Sequence, residues 1–310
     1  MKTDVVGLTK ITDGNLTADV AKSLNLIGFK IERKVESVFI KVNLCYYWDS
    51  LTGYTTDPKL VSSLIDVLRG NYGLENADIK IVETDATAMR TSHVFKMLKY
   101  DKLAQEKKVA LCNLSKDKVI EKTVNVNGKV VSLTVPECLL NAIGRDLFIN
   151  MPKMKIMSHT TISCAMKNLF GCIAAPRKIV YHPILDHAIV GMNKLLRPDL
   201  TLMDGIVALS QFPVKMDLIV AGLNPFSVDW TVSKIMGYNP SRIKHLRLAE
   251  REGLGDPENI VLKGYDISEL RKMWPHVNTL RLRWQNKLQL KLLRTYSKLV
   301  DDVIPPFLEA

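Results

Sequence analysis

Two hydrophobic periodicities alternate along the first half of the chain. Short β-rich runs at Val38–Leu44 and Ile79–Glu83 are typical of buried strands, and between them apolar residues recur at helical spacing. Thr56 or Asp57 is the expected cap of that helix, with Pro58 in its first turn. Strand–helix–strand units of this length favour a mainly parallel sheet with helices packed on its faces.

The second half continues the alternation with one interruption. The dipeptide Asn127-Gly128 lies between two β-rich runs and predicts a hairpin. The further predictions are helices over Ser92–Glu106, Thr161–Phe170, Pro183–Leu196, Val228–Met236 and Ser241–Arg251, and strands over Val109–Asn113, Asp146–Met151, Leu200–Met203, Leu218–Ala221 and Asn259–Leu262. The pattern therefore predicts an α/β fold with a mainly parallel or mixed sheet and helices on both faces. We expect one α/β domain over residues 1–268 and a basic, amphipathic helical extension over residues 269–310.

Composition restricts the class of protein and shows where the charge lies. The chain has 310 residues and a net charge of +11: residues 271–300 carry +8, residues 151–200 carry +5, and the remaining residues sum to −2. No uncharged stretch reaches the roughly 18 to 20 residues of a membrane span. No secretion signal is visible at the N-terminus, and the five scattered cysteines form no CxxC pair, so we expect a cytoplasmic protein without a disulfide framework.

The basic segment at residues 150–171 is the first candidate site. Lys153, Lys155 and His159 are expected in a loop between a buried strand and a helix that starts near Thr161. In open α/β sheets, ligands bind beyond the carboxyl ends of strands, and a helix N-terminus attracts anions. Together with Lys167, Asn168 and Arg177, these residues predict a site for a phosphate or carboxylate. The alternative is that the lysines form a solvated surface.

Three further groups of residues are candidates for the same site. Lys41 and Asn43 share one face of a strand, where a buried lysine is expected to reach the strand end or to pair with Glu83 or Asp85. Thr55 and Thr56 lie at the start of the following helix, and Asp204 is followed by Gly205 at a strand tip. The alternatives are a lysine on an edge strand and a plain Asp-Gly turn.

The candidate chemistry is proton transfer, since the pKa of histidine lies near neutrality. We assign catalytic roles to Lys41, His159 and Asp204, and substrate contacts to Asn43, Thr55, Thr56, Lys153, Lys155, Lys167, Asn168 and Arg177. For a metal, the candidates are His159, His182 and Glu83, although their spacing matches no closed zinc site. The chain carries no P-loop, dinucleotide-binding or nucleophile-elbow motif.

An ordered series of motifs resembles the family called domain of unknown function 362. The series is Lys41-Val-Asn43, Thr55-Thr56-Asp57-Pro58, Pro152-Lys-Met-Lys155 with His159, Lys167-Asn-Leu-Phe-Gly171, Asp204-Gly205 and Asp229. The resemblance covers about residues 36–265 and implies an α/β fold without a settled reaction. Some relatives look fused to a ferredoxin-like domain with two iron–sulfur clusters. Because this chain lacks the necessary cysteine runs, redox chemistry would need a separate ferredoxin.

The lysine-containing part of this motif series is also remotely similar in layout to nickel-pincer lactate racemases, which is an analogy of fold and layout alone.

Our leading hypothesis is an enzyme, either an isomerase or lyase, that acts on an anionic small molecule. The alternatives are a ferredoxin-linked oxidoreductase, a metal- or cofactor-handling protein, and an adaptor that uses its C-terminal helix. That helix either packs on the body, contacts another subunit or lies on an anionic membrane surface. No motif for nucleic acid accompanies its charge, so nucleic acid is not an expected partner.

Overall fold

A computed structural model describes residues 3–12, 14–44, 47–87, 89–175 and 177–275. The strands are β1 Asp4–Lys10, β2 Ser37–Lys41, β3 Asp78–Glu83, β4 Ala110–Asn113, β5 Val119–Val126, β6 Lys129–Pro136, β7 Leu147–Asn150, β8 Lys153–Met157, β9 Thr161–Ser163, β10 Leu200–Leu209, β11 Pro213–Gly222 and β12 Ile260–Gly264. The helices are α1 Leu16–Leu26, α2 Pro58–Tyr72, α3 Thr91–Met97, α4 Tyr100–Lys107, α5 Glu137–Ala142, α6 Ala165–Phe170, α7 Leu185–Leu195, α8 Pro225–Ile235, α9 Lys244–Arg251 and α10 Ile267–Met273.

One large mixed sheet organises the protein. Its strand order is β12-β1-β11-β10-β7-β2-β3-β4. In addition, β8 pairs with β10, and β9 pairs with β8. Along this order every strand is parallel to the others except β11, which is antiparallel to both β1 and β10. The predicted α/β class with a mainly parallel or mixed sheet is therefore confirmed. The parallel strands end at a common edge, the carboxyl edge, and begin at the opposite amino edge.

Two apolar cores cover the two faces of this sheet. Side chains alternate between the faces along β2, so that Phe39 belongs to one core while Val38 and Ile40 belong to the other. Helices α1 and α2 pack on the second face, and α6, α7 and α8 pack on the first. Strands with apolar residues on both faces are buried by helices on both sides, as the sequence predicts.

Local signals explain where several elements begin and end. Asp57 caps α2 by accepting a hydrogen bond from the backbone N–H of Lys59, and Pro58 occupies the first turn. The hairpin β5–β6 turns at Asn127 and Gly128, both of which have positive φ, as in a type I′ turn. The predicted helix over Ser92–Glu106 is instead two helices, α3 and α4, since Lys99 adopts a left-handed φ of 62° between them.

The basic segment at residues 150–171 differs from its prediction. The expected loop around Lys153 and Lys155 is strand β8, because β10 extends beyond β7 and offers β8 a partner. The expected helix from Thr161 begins only at Ala165, and Thr161–Ser163 forms β9. Both lysines are consequently buried inside the fold.

The predicted C-terminal extension begins within the described residues with α10, whose Leu270 is buried. Residues 276–310, which carry most of the predicted basic helix, lie outside the described residues. Among the described helices, none has the length and apolar character needed to cross a bilayer.

Candidate functional site

A buried ion pair lies where β2 and β3 end at the carboxyl edge. The Nζ of Lys41 lies 2.6 Å from Oε1 of Glu83, and both side chains are almost completely buried. The same ammonium donates to the carbonyl of Val42 at 2.6 Å. Glu83 also accepts hydrogen bonds from the backbone N–H groups of Leu44 and Thr84, each at 2.9 Å. The carboxylate is thus held rigidly, which a buried charge requires.

Gly171 permits the close approach of α6 to this ion pair. A Cβ at Gly171 would lie 3.3 Å from Nζ of Lys41 and 2.8 Å from the carbonyl oxygen of Asn168. The glycine that ends the Lys-Asn-Leu-Phe-Gly motif therefore avoids a clash chiefly with the backbone carbonyl of Asn168, and it also leaves room for the Lys41 ammonium.

A second lysine, Lys178, is buried beside the first. Its Nζ donates to Oγ1 of Thr84 at 2.9 Å and to the carbonyl of Asp85. Burial lowers the pKa of Lys178 to about 8; Glu83 opposes this shift and Lys41 adds to it. The substrate contacts predicted from the sequence include Arg177, whose side chain is exposed, but not its buried neighbour Lys178. No local pattern distinguishes the two, since the path of the preceding loop decides which of them is buried.

Three asparagine amides connect the strand ends to α6. Nδ2 of Asn43 donates to Oδ1 of Asn168, and Nδ2 of Asn168 donates to Oδ1 of Asn150, each at 2.8 Å. Lys155 joins this chain through Nζ, which donates to Oδ1 of Asn43 at 2.6 Å and to the carbonyl of Tyr54 at 2.8 Å. The structure therefore brings together Lys41, Asn43, Lys155 and Asn168, as the hypothesis of one site requires.

Thr55 and Thr56 hold the segment that leads into α2. Oγ1 of Thr55 donates to the carbonyl of Trp48 at 2.7 Å, and Oγ1 of Thr56 donates to the carbonyl of Met151 at 2.9 Å. The backbone N–H of Asn43 donates to Oγ1 of Thr56 at 3.0 Å. Both hydroxyl groups are buried and contact the backbone, so they shape the carboxyl edge.

Lys153 and Asp204 form a second buried ion pair. Their Nζ and Oδ2 atoms are 2.8 Å apart, and neither side chain is exposed. Asp204 also accepts hydrogen bonds from the backbone N–H groups of Asp57 at 2.7 Å and Ile206 at 2.9 Å. The pair joins β8, β10 and the start of α2, and its charges are matched within the protein.

His159 lies beside His182, which follows Lys178 in the chain. The two ring centroids are 5.2 Å apart, and Lys178 and His182 belong to one 3-10 helix, Lys178–Ile184. Glu83, the third metal candidate, is paired with Lys41 instead. Within the described ranges, no group of three or more His, Cys, Asp or Glu side chains is arranged to hold a metal ion.

The N-terminus of α6 is occupied by a carboxylate of the protein. Asp229, which lies in α8, accepts hydrogen bonds from the backbone N–H groups of Ala165 at 2.6 Å and Met166 at 2.9 Å. Burial raises the pKa of Asp229 to about 7, against the effect of these two hydrogen bonds. The expected anion-binding helix start is thus filled by Asp229. Lys167, in the first turns of α6, is half-buried and lies 5.7 Å from the ring centroid of Phe170.

Comparison with known proteins places the chain in a family. The family model described as Domain of unknown function (DUF362) matches residues 38–234, and the chain belongs to this family. The Lys41, Lys153, Lys167 and Asp204 motifs all lie within the matched region.

A relative of this chain is the protein named Thylakoid-associated protein sll1697 of Synechocystis sp.. It is 29% identical over 126 residues, which is 36% of this chain. The chain matches 39% of that relative's length. No solved structure matches the chain.

Proposed function

We propose that this protein is an enzyme that transfers protons on a small molecule bearing a phosphate or carboxylate. The observation that supports the proposal most directly is the buried cluster of Lys41, Lys178 and Glu83. Glu83 and Asp85 are the carboxylates that act on Lys178, but Glu83 is paired with Lys41 and Asp85 lies 3.8 Å from Arg90. Three cations thus face two carboxylates, so the cluster favours an additional negative charge. A lysine whose pKa is lowered to about 8 can also exist as the neutral amine that accepts a proton.

Within this proposal the residues divide by their surroundings. Lys178 is the proton acceptor, and Lys41, held by Glu83, stabilises the negative charge that develops on the substrate. His159 and His182 supply a second proton-transfer group, since His182 belongs to the same 3-10 helix as Lys178. Asn43, Lys155 and Asn168 hold the strand ends in place, while Lys153 and Asp204 maintain the fold from a position where both charges are already matched.

Proton transfer can be tested before the substrate is known. Purified protein is incubated in D2O with a mixture of 2-hydroxy acids, 2-oxo acids and sugar phosphates, and loss of C–H signals is followed by proton NMR. We expect deuterium incorporation into one of these compounds, with a rate that rises towards pH 8 as Lys178 becomes neutral. Lys178→Met should abolish it, whereas Lys263→Met, at an exposed lysine of β12, should not.

Anion binding is tested separately by calorimetry with inorganic phosphate and with oxalate. Binding that is lost in Lys178→Met and kept in Lys263→Met supports the proposal. The absence of both anion binding and exchange would overturn it. Elemental analysis and a visible spectrum of anaerobically purified protein would identify a metal or iron–sulfur group and favour the redox alternative, in which a separate ferredoxin is the partner.

A second proposal concerns the location of the protein in the cell. We infer a cytoplasmic protein that contacts a membrane surface. The relative carries the words thylakoid-associated in its name, and large apolar side chains are exposed at Trp48, Leu51 and Phe212. Phe212 lies at the β10–β11 turn, and the segment at residues 50–54 packs against the end of β10. Exposed aromatic side chains of this kind suit a membrane interface.

Co-sedimentation with vesicles of phosphatidylcholine and phosphatidylglycerol tests this second proposal. We expect the Trp48→Ser, Phe212→Ser double variant to bind less, while Val130→Ser, at an exposed apolar residue of the separate hairpin, should bind like the native protein. If only the neutralisation of Lys287, Lys291 and Arg294 reduces binding, the contact belongs to the C-terminal basic segment instead.

A further inference from the structure

A pocket of about 300 Å³ opens at the amino edge of the sheet, opposite the strand ends that carry the Lys41 cluster. It lies where β1 and β10 begin and where β11 ends. This volume is at the lower limit of about 300–1,000 Å³ that is usual for small-molecule sites. The pocket therefore fits a compact ligand rather than a nucleotide or an extended peptide.

The walls of this pocket combine apolar side chains with polar ones, which include Thr3, Asn193 and Asn224. The apolar side chains include those of Ile27, Met166, Leu196, Leu223, Phe226 and Leu254. Ile27, Met166, Leu196 and Phe226 are otherwise buried in the core. The apolar surface that a ligand could cover therefore belongs to Leu223, which is 41% exposed, and to the half-buried Leu254.

Two opposite charges complete the lining, namely Asp4 and Arg197. In the part of the chain that the structure describes, neither forms an ion pair with another side chain, and they do not pair with each other. Arg197 is exposed between α7 and β10, while Asp4 is half-buried at the start of β1. One pocket thus presents both a cation and an anion to a ligand.

The carboxylate of Asp4 is held in position by α8. Its Oδ2 accepts hydrogen bonds from Nδ2 of Asn224 at 2.9 Å and from Oγ of Ser227 at 2.7 Å. Asn224 also donates to the carbonyl of Leu254 at 3.0 Å, which ties the β1, α8 and Leu254 walls together. Both of these bonds use Oδ2, so Oδ1 keeps its capacity to accept a hydrogen bond from a ligand.

We propose that this pocket binds a free α-amino acid with an apolar side chain. Arg197 would take the carboxylate in a bidentate geometry, Asp4 would take the ammonium group, and the apolar walls would take the side chain. An anion alone would bring a like charge into the same pocket as Asp4, whereas a cation alone would do the same to Arg197. The zwitterion satisfies both charges at once, so it is the class of ligand that this lining selects.

Calorimetric titration of the full chain with L-leucine tests the proposal. The companion probes are 4-methylpentanoate, which lacks the ammonium group, and 3-methylbutylamine, which lacks the carboxylate. We expect L-leucine to bind at least about tenfold more tightly than either probe. Equal binding of all three compounds, or no binding of L-leucine at millimolar concentration, would overturn the proposal.

Two variants test whether Arg197 binds the carboxylate of the amino acid and Asp4 binds its ammonium group. Arg197→Gln should weaken L-leucine binding by about tenfold or more without weakening 3-methylbutylamine, and Asp4→Asn should show the reverse dependence on the two probes. Asp4→Asn keeps an oxygen that accepts from Asn224 and Ser227, so the fold is expected to persist. Arg247→Gln, at an exposed arginine of α9, is the matched control. If it weakens binding as much as Arg197→Gln does, the effect is one of net charge and the pocket assignment fails.

Discussion

The two edges of the central sheet treat their charged groups in opposite ways. At the carboxyl edge, Lys41 and Lys153 are buried and each contacts a carboxylate within 2.8 Å. At the amino edge, Asp4 and Arg197 line a pocket without an ion partner among the described residues. The difference follows from burial, because a desolvated charge must be matched during folding, whereas a charge at an open pocket stays solvated and available.

Helix α6 connects these two regions. Met166 lines the amino-edge pocket, while Asn168 and Gly171 contact the polar groups of the carboxyl edge. The start of the helix is held by Asp229 between the two. Substitutions at either edge and along α6 should therefore distinguish charged groups that stabilise the fold from charged groups that are available to a ligand.

The largest effect is expected from removing the charge of Glu83. Glu83→Gln would leave Lys41 and Lys178 buried without their nearest carboxylate, and breaking a buried pair in this way typically costs about 3–5 kcal/mol. We expect a loss of this size in the free energy of unfolding, measured by urea denaturation. A change below about 1 kcal/mol in the free energy of unfolding would show that the Lys41–Glu83 ion pair contributes less to stability than its short distance and burial indicate.

The next largest effect is expected at Gly171. Gly171→Ala places a methyl group against Asn168 and Lys41, and overpacking of this kind typically costs about 1–3 kcal/mol. Gly70→Ala is the matched control, since a Cβ at Gly70 meets no atom within 4 Å. In the interior of α2 this second substitution should instead stabilise the protein by about 0.5–1 kcal/mol. Both values come from thermal or urea unfolding.

Asp229 should make stability decrease as pH rises. Its folded pKa of about 7 lies above its ordinary value of 3.8, so the folded state binds the proton more tightly. The unfolding free energy should therefore fall between about pH 4 and pH 7, by at most about 1.4 kcal/mol per pH unit. Urea denaturation of Asp229→Asn across this range should lack the decrease. An unchanged slope would mean that another group causes it.

His245 should have the opposite dependence on pH. It is completely buried in α9, and both ring nitrogens lack a hydrogen-bond partner among the described residues. Burial, together with the charge of Lys167, lowers its pKa to about 3 from an ordinary value of 6.5, although Oδ1 of Asp186 lies 3.8 Å from its Nδ1. Between these values the unfolded state binds more protons, so stability should rise with pH. His245→Phe should remove this rise, and an unaltered profile in that variant would contradict the assignment.

The smallest effect on stability is expected at the amino edge. Arg197→Gln changes an exposed side chain without an ion partner, so the free energy of unfolding should shift by less than about 0.5 kcal/mol. The same urea denaturation used for Glu83→Gln measures it. A large loss at Arg197 would remove the contrast between the two edges.

Much of the fold could be predicted from the sequence, because strong local patterns coincide with the elements. The apolar runs of β2 and β3, Asp57 and Pro58 at the start of α2, and the Asn127-Gly128 turn all occur where expected. The prediction failed at Lys153 and Lys155. The alternation Lys153-Met154-Lys155-Ile156 is itself a strand pattern, which the loop prediction did not use. Nothing local indicates that β10 supplies the partner that buries both faces of this strand.

The candidate site shows the same limit. That Lys41, Asn43, Lys155 and Asn168 lie close together could be expected from their residue types and order, whereas no local signal indicated that Lys178 rather than Arg177 is buried. The amino-edge pocket was not predicted at all. Its lining combines residues from Asp4 to Leu254, and no pattern in the sequence relates such distant positions.

The sequence by itself determined the α/β class, the helix starts with clear caps and the polar residues that follow the strands. These features depend on local backbone preferences and on the period of apolar residues, which act over a few neighbouring positions. Only the tertiary structure decided which lysines are buried, which carboxylate each one contacts, and that Asp229 rather than a ligand occupies the start of α6. Those outcomes depend on desolvation and on pairing across the fold, which arise only when distant segments of the chain pack together.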